Sequence, residues 1–368
     1  MLQVNLILFG RFLCGAAMGA GSVVTPIYCE EISEVSIRGA LGVFYDLQVG
    51  SGILLVYVIG AYVPYMWLCI TCAVFPIIFF LTFLWMPESP IFLVSKGKII
   101  QAEISLRWLR GVKYDIRPEL DRIQKLVLDD APRTKKIAVS SMLKSATGKA
   151  LGIVACLMLF RQLSGINAVI YYTVSIFNEA GTSLSAFTST IVVGVSQVVF
   201  TYLSSLLVER VGRRALLLIS EITIALCQVV LATYFLLKEH DVDLTDFGWL
   251  PLLSLTVYIG VFNLGFGPLP WVMMAELVPN KSKGWASGVG VSVNWIMVFV
   301  ITNVFGRMIQ HWGPGIMFGM FGGMCLVGTL VVAVVVPETK GKTREQIHQE
   351  LKGKTSYDLE MTPRRSKV

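Results

Sequence analysis

The sequence predicts an all-α integral membrane protein with about nine transmembrane helices, and three observations support this fold class. Of the 368 residues, 55% are hydrophobic and 15% are charged, whereas a soluble domain carries about 25% charged residues. Nine segments hold apolar stretches of the roughly 20 residues that a membrane-spanning helix needs. A set of charged motifs also occurs twice along the chain, which indicates a duplicated membrane unit.

The apolar segments form a group of three and a group of six, separated by the charged stretch 91–149. That stretch has apolar residues at helical spacing around Ile104 and again around Leu120, which predicts short amphipathic helices. The predicted spans are residues 5–28, 40–63, 66–86, 150–176, 187–208, 214–237, 248–275, 285–306 and 314–336.

The duplication is visible in two motifs that recur in the same order. The first motif is a glutamate followed seven positions later by a basic residue and a glycine. It begins at Glu31, with Arg-Gly, and again at Glu276, with Lys-Gly. Each copy is followed by two apolar segments and then by a Pro-Glu turn with a hydroxyl residue, and these turns contain Glu88 and Glu338. The repeat therefore places these four carboxylates at corresponding positions of two related halves.

Basic residues predict the orientation of the chain in the membrane. The loop 91–149 has thirteen Lys or Arg against six Asp or Glu, whereas the link 177–186 has no Lys or Arg. Because positive loops face the cytoplasm, we expect this loop and the C-terminus to be cytoplasmic and Met1 to be extracytoplasmic. The net charge of +7 then reflects topology and attraction to the lipid bilayer, and not nucleic-acid binding.

The sequence shows no pattern that is typical of an enzyme or a metal site. The seven cysteines are scattered through apolar stretches, and the three histidines are far apart, so neither a disulfide framework nor a metal cluster is predicted. Nucleophile–base pairs and phosphate-binding loops are also missing from the motifs, so we expect no cofactor.

Two polar interruptions of apolar segments are the candidate binding site. Gln162, Ser164 and Asn167 flank a glycine in one segment, and two glycines and two prolines precede Trp271 in another. Polar groups at membrane depth are costly unless they pair or line a wet cavity. Amides that hydrogen-bond to hydroxyl groups, beside an aromatic face that stacks on C–H groups, are what a sugar requires.

These motifs resemble the sugar porter family of the major facilitator superfamily. The resemblance rests on the Gln-Leu-Ser-Gly-Ile-Asn run from Gln162, the Gly-x-Gly-Pro-x-Pro-Trp break from Gly265, Pro-Glu-Ser-Pro from Pro87, Glu-Arg-x-Gly-Arg-Arg from Glu209, and Pro-Glu-Thr-Lys-Gly from Pro337. It covers residues 5–345 in order and spacing. Within the family, the chain resembles carriers of trehalose and of hexoses.

The resemblance implies that the nine spans correspond to the fourth through twelfth helices of a twelve-helix fold, so the first three helices would be missing from this sequence. We therefore expect an incomplete N-terminal half at 1–90, a cytoplasmic linker at 91–149, a complete six-helix bundle at 150–337 and a cytoplasmic tail at 338–368. The implied location is the plasma membrane.

The resemblance also implies roles for individual residues. Sugar contacts are expected at Gln162, Asn167, Gln197, Asn263, Trp271 and Asn294. An extracellular gate is expected at Tyr171 and Tyr172, with the helix break at Gly267, Pro268 and Pro270. The cytoplasmic charge network that closes the inner gate is expected to comprise Glu31, Arg38, Glu88, Glu209, Arg213, Arg214, Glu276 and Glu338.

Three positions depart from the family pattern. Asp46 and Arg161 stand where the family has glutamines that contact sugar, and Phe266 replaces a usual proline. Since isolated charges in a bilayer are costly, we hypothesise that Asp46 and Arg161 form a salt bridge between the two halves and that both belong to the binding site.

For several of these residues a structural role is the alternative. Isolated amides also serve to join helices, Trp271 has the character of an interfacial anchor, and Tyr171 and Tyr172 are equally suited to packing.

The predicted function is facilitative transport of a hexose or trehalose, a small-molecule sugar, by alternating access. The alternatives are a non-transporting sugar sensor or inactive short form, and a proton-coupled symporter that uses Asp46.

Overall fold

The computed structural model describes residues 2–34, 38–130, 146–180, 185–278, 283–342 and 344–351. The chain divides into two compact units, Met1–Lys136 and Ile137–Val368. Every element described in either unit is helical, which confirms the predicted all-α membrane architecture.

The N-terminal unit has three long apolar helices followed by three short ones. The long helices are α1 (Leu2–Ile32), α2 (Arg38–Tyr62) and α3 (Tyr65–Phe83). The short helices are α4 (Pro90–Ser95), α5 (Ile99–Arg110) and α6 (Arg117–Asp130). The hydroxyl group of Ser89 accepts a hydrogen bond from the Phe92 backbone N–H and so caps α4.

The short helices are amphipathic and share a small apolar core. This core consists of Leu93, Val94, Ala102, Leu106, Ile116 and Ile123. Hydrogen bonds also join the end of α1 to the segments that follow the membrane helices. The Tyr28 hydroxyl donates to the Pro87 carbonyl at 2.7 Å, and Arg110 Nη1 donates to the Ile32 carbonyl at 2.9 Å.

Arg110 is the side chain that holds α5, α6 and the end of α1 together. Its Nε and Nη2 donate to the two carboxylate oxygens of Glu119 at 3.1 and 2.7 Å, and only 5% of the side chain is exposed. These hydrogen bonds raise the pKa of the guanidinium above its usual value, so the group stays charged. The forked geometry matches a carboxylate as a lysine cannot.

We predict that Arg110→Ala lowers the free energy of unfolding by about 3 kcal/mol, because it leaves a partly buried carboxylate unpaired. The matched control is Arg107→Ala, which removes an exposed pair with Glu103 one helical turn away and should cost less than about 0.5 kcal/mol. Chemical unfolding in detergent measures both, and equal losses would contradict the role assigned to Arg110.

The C-terminal unit contains the remaining helices, several of which are interrupted. They are α7 (Ala146–Leu163), α8 (Ile166–Ala180), α9 (Ala186–Val211), α10 (Arg213–Glu239), α11 (Leu250–Leu264), α12 (Leu269–Leu277), α13 (Lys283–Val335) and α14 (Arg344–Leu351).

Eight helical stretches among the described residues are long and apolar enough to cross a membrane. The last of them, Gly284–Val335, has 52 residues, or about 78 Å as one straight helix, more than twice the hydrocarbon thickness of about 30 Å. Its backbone leaves the helical conformation at Gly313, where φ is 76°. This break lies between the predicted spans 285–306 and 314–336, so α13 accounts for two of the nine predicted spans.

The part of α13 after Gly313 packs antiparallel along α10. Glycines later in α13 lie against residues earlier in α10: Gly315 lies beside Leu236, and Gly328 lies beside Glu221. The part before Gly313 instead runs in the same direction as α7 and α8, with Gly290 beside Val154 and Gly306 beside Tyr172. This second pairing forms one side of the candidate site.

Candidate functional site

Three amide side chains from α7, α8 and α13 form one hydrogen-bonded cluster. Gln162 lies at its centre: its Nε2 donates to Asn294 Oδ1 at 2.6 Å, and its Oε1 accepts from Asn167 Nδ2 at 2.6 Å. Gln162 and Asn294 are only 1% and 3% exposed. Buried amides are costly unless they are paired. The two amides of the Gln162 motif and the Asn294 amide of a later helix, all predicted to contact sugar, therefore stabilise one another by hydrogen bonding.

Arg161 connects this amide cluster to the interrupted helix. Its Nη1 donates to Asn294 Oδ1 at 3.2 Å, and its Nε donates to the Gly267 carbonyl at 3.3 Å. The guanidinium carbon lies 5.4 Å from the ring centroid of Phe262 and 5.7 Å from that of Trp271. Arg161 therefore lies against the aromatic face that was predicted as a platform for sugar.

The interruption between α11 and α12 has a clear cause in the sequence. Pro268 and Pro270 lack backbone N–H groups, and the Gly267 N–H bends back to the Phe262 carbonyl at 2.7 Å. A side chain at Gly265 would come within 2.7 Å of the Leu216 carbonyl oxygen in α10. The break frees the Gly267 carbonyl for Arg161 and positions Trp271 at the start of α12.

The other two amides that were predicted to contact sugar lie outside the amide cluster. Asn263 donates to the Ile259 carbonyl of its own helix at 2.7 Å. Gln197 is 5% exposed, and its Oε1 has no hydrogen-bond partner among the residues that the structure describes. Asp46 is half-buried in α2 of the other unit, and Phe266 is fully buried.

The two predicted gate tyrosines have different surroundings. Tyr171 is 59% exposed, while the ring of Tyr172 lies 4.9 Å from that of Phe305 in α13. Phe305 was missed by sequence reasoning, although it lies eleven residues, about three helical turns, after Asn294 and so on the same face. Phe262 carries no comparable signal, because nothing in the sequence pairs it with Arg161.

The charged residues at the start of α10 form a second polar cluster within the C-terminal unit. The carboxylate of Glu338 accepts hydrogen bonds from the backbone N–H groups of Arg213 and Arg214, each at 3.1 Å, and of Thr339 and Lys340, each at 2.9 Å. Arg213 also pairs with Glu276 at 3.2 Å. Burial alone would raise the pKa of Glu338, but these four donors outweigh it and the pKa lies below its usual value.

We predict that Glu338→Gln destabilises the C-terminal unit by about 1 kcal/mol at neutral pH, as expected for loss of a capping carboxylate. Because the folded-state pKa is lowered, the contribution is fully present above the unfolded value of about 4.3 and is lost as the pH falls through the folded value. Thermal unfolding of both proteins between neutral and acidic pH measures it. The curves should converge in acid, whereas the exposed control Glu103→Gln should follow wild type throughout.

The corresponding motifs of the N-terminal unit make a different set of contacts. Ser89 Oγ donates to Glu31 Oε2, and Ser105 Oγ donates to the Glu88 carbonyl at 2.6 Å. The corresponding hydroxyl group in the C-terminal unit, that of Thr339, has no hydrogen-bond partner among the described residues. The side chains of Arg38 and Glu209, also predicted for the inner network, lie outside what the structure describes.

Comparison with known families matches nearly the whole chain to one of them. Residues 2–351 match the family described as Sugar (and other) transporter. The Facilitated trehalose transporter Tret1 of Anopheles gambiae is 40% identical over 352 residues, which is 96% of this chain and 44% of the relative. Tret1 of Apis mellifera ligustica is 39% identical over 351 residues, which is 95% of this chain and 70% of the relative.

Tret1 of Drosophila pseudoobscura pseudoobscura is 39% identical over 353 residues, and the chain spans 41% of that relative's length.

Among solved structures, the major facilitator superfamily proton:xylose symporter XylE bound to 6-bromo-6-deoxy-D-glucose has a TM-score of 0.70 at 27% identity. That match covers 90% of this chain and 70% of XylE. The inward open conformation of XylE from E. coli has a TM-score of 0.69 at 25% identity, covering 88% and 68%. With this family match and these interrupted helices, the chain is a multi-pass membrane protein with the major facilitator fold, and it belongs to the sugar transporter family.

Proposed function

We propose that this protein is a facilitative carrier of trehalose or a hexose and works by alternating access. The observation that carries the proposal is the cluster of Gln162, Asn167 and Asn294 beside the interrupted helix that bears Trp271. Amide groups and an indole face are suited to the hydroxyl groups and the C–H face of a sugar. The names of the relatives, facilitated trehalose transporters, support the same substrate class.

In the proposed cycle, sugar exchanges partners with the amide cluster. The amides now satisfy one another at 2.6 Å, so a bound sugar replaces hydrogen bonds already made inside the protein. Such an exchange keeps the polar groups satisfied with and without substrate, as the low-dielectric interior requires. Gln197 and Asn263 are proposed as further contacts, and Tyr171 and Tyr172 close over the sugar from the extracellular side.

The inner gate is proposed to use the charged clusters of both units. Glu338, Arg213, Arg214 and Glu276 supply it from the C-terminal unit. Glu31, Arg38, Glu88 and Glu209 complete the proposed set. The C-terminus would then be cytoplasmic and the protein would reside in the plasma membrane, acting on its substrate by transport alone and without chemical catalysis.

Asp46 and Arg161 are proposed to form an ion pair between the two halves of the carrier. Two opposite charges at membrane depth stabilise each other when they pair. Restored transport in the charge-swapped double mutant Asp46→Arg with Arg161→Asp, compared with each single change, tests the pair. Failure of the double swap to recover any loss would exclude it.

Uptake of labelled trehalose and glucose by liposomes that contain the full chain tests the proposed function. A facilitative carrier equilibrates sugar in a saturable manner, with and without a protonophore. Accumulation that the protonophore abolishes would instead indicate a proton-coupled symporter, which Asp46 and the likeness to XylE leave as the second candidate. Binding of sugar without uptake would indicate a sensor or an inactive form.

A further inference from the structure

An acidic side chain that belongs to neither polar cluster lies buried inside the C-terminal unit. Glu221 lies about two turns into α10 and is fully buried. Neither of its carboxylate oxygens has a hydrogen-bond partner within the described part of the chain. It belongs to an apolar membrane span, Arg213–Glu239, and it is not one of the residues assigned to sugar or to the inner gate.

The surroundings of Glu221 come from three other helices. The Phe160 ring of α7 and the backbone of Gly328 in α13 enclose it: a side chain added at Gly328 would lie 2.5 Å from Glu221 Oε1 and 3.0 Å from Phe160. The titratable groups in its neighbourhood are Tyr258 of α11 and Cys325 of α13, which lies one helical turn before Gly328.

Neither Tyr258 nor Cys325 is a cation that would compensate a carboxylate. An ionised carboxyl group without a hydrogen bond or a counter-charge is strongly disfavoured in a low-dielectric interior, and such a group takes up a proton instead. The neutral acid is therefore the form of Glu221 that suits this packing.

Tyr258 reaches the interruption between α7 and α8, four residues after Phe160, whose ring lies with Glu221 beside Gly328. Its hydroxyl group donates to the Ser164 carbonyl at 2.9 Å, and Gln228 Nε2 donates to the same oxygen at 3.0 Å. This carbonyl precedes Gly165, whose φ of 80° ends α7. The two donors thus satisfy the Ser164 carbonyl at the helix break between Gln162 and Asn167 of the amide cluster.

We propose that Glu221 is a proton-binding site of the C-terminal unit, and that its ionisation loosens the hydrogen bond from Tyr258 that holds the break at Gly165. A carboxylate is a stronger acceptor than a backbone carbonyl, since charge-assisted hydrogen bonds are about twice as strong as neutral ones. Ionised Glu221 would therefore compete with Ser164 for the hydroxyl proton of Tyr258. The proton site stands by itself, whereas any effect on transport rests on the proposed carrier function.

Infrared difference spectroscopy of the purified full chain tests the proton site without any transport measurement. At neutral pH, wild type should show the carbonyl band of a protonated carboxylic acid that is lost in Glu221→Gln and kept in Tyr258→Phe. Identical spectra of wild type and Glu221→Gln would overturn the proposal. So would failure of both neutral variants, Glu221→Gln and Glu221→Met, to fold, because the negative charge would then be required.

Sugar exchange across the pH range tests the link to the break. Wild type should show a pH dependence that is lost in Glu221→Gln and also in Tyr258→Phe, although the latter keeps the infrared band. A pH profile that Tyr258→Phe leaves unchanged would overturn the link. Absence of exchange in every protein, with the infrared band still lost in Glu221→Gln, would refute the carrier function and leave the proton site in place.

Discussion

Gly165→Ala is expected to destabilise the C-terminal unit and to abolish most of the transport activity. Two independent penalties arise at this position. The φ of 80° lies in the left-handed region, where a residue with a Cβ atom costs roughly 1–2 kcal/mol. The added methyl group would also lie 2.7 Å from the ring of Phe321, and overpacking of this kind costs about 1–3 kcal/mol.

The matched control for this substitution is Gly152→Ala in the same membrane span. Gly152 has open space around its missing side chain and lies within helix α7, where alanine is favoured over glycine by about 0.5–1 kcal/mol. Thermal unfolding in detergent should show a large loss for Gly165→Ala and none for Gly152→Ala. Adding Phe321→Ala should relieve the steric contact but not the backbone strain, and wild-type stability of Gly165→Ala would contradict this account.

Asn294→Ala is expected to reduce sugar transport by at least about tenfold, which corresponds to 1.4 kcal/mol. Asn294 Oδ1 accepts hydrogen bonds from both Gln162 and Arg161. Its removal leaves the buried amide of Gln162 without its acceptor, at a cost of about 1–3 kcal/mol, takes one acceptor from Arg161, and frees Gln162 to change its orientation. Both the free energy of unfolding and the sugar flux should therefore fall.

Asn303→Ala is the matched control for the amide cluster. Asn303 lies in the same helix, α13, but it is exposed, and among the described residues its side chain donates only to the Phe299 carbonyl of its own helix. Its replacement should leave flux and stability close to wild type. Equal effects of the two substitutions would show that loss of any amide from α13 is harmful and that the cluster has no special role.

The sequence predicted the spans well because membrane thickness imposes a length on each of them. The break at Gly313 lies between two predicted segments, and the interruption at Gly267 and Pro268 follows from prolines that cannot donate a backbone hydrogen bond. Gln162, Asn167 and Asn294, which a resemblance grouped as sugar contacts, are brought into direct contact by the fold.

The contacts of individual charged residues were harder to predict. Arg161 was expected to pair with Asp46, and this pair stays a prediction. The contact between Arg161 and Trp271 joins residues that are 110 positions apart in the sequence, so no local pattern indicates it. The pairing of Arg110 with Glu119 joins two short helices across a turn, and periodicity contains no information on it. Glu221 had a signal that was overlooked, since a single acid in an apolar span is costly and therefore calls for an explanation.

Equilibrium binding of labelled trehalose and glucose to the full chain tests most directly whether the amide cluster and Trp271 form the sugar site. The two proteins to compare with wild type are Trp271→Ala and Trp285→Ala, since Trp285 is 49% exposed and lies near the start of α13. We expect Trp271→Ala to weaken binding of the transported sugar at least about tenfold, or 1.4 kcal/mol, and Trp285→Ala to bind like wild type. Unchanged binding by Trp271→Ala would contradict it.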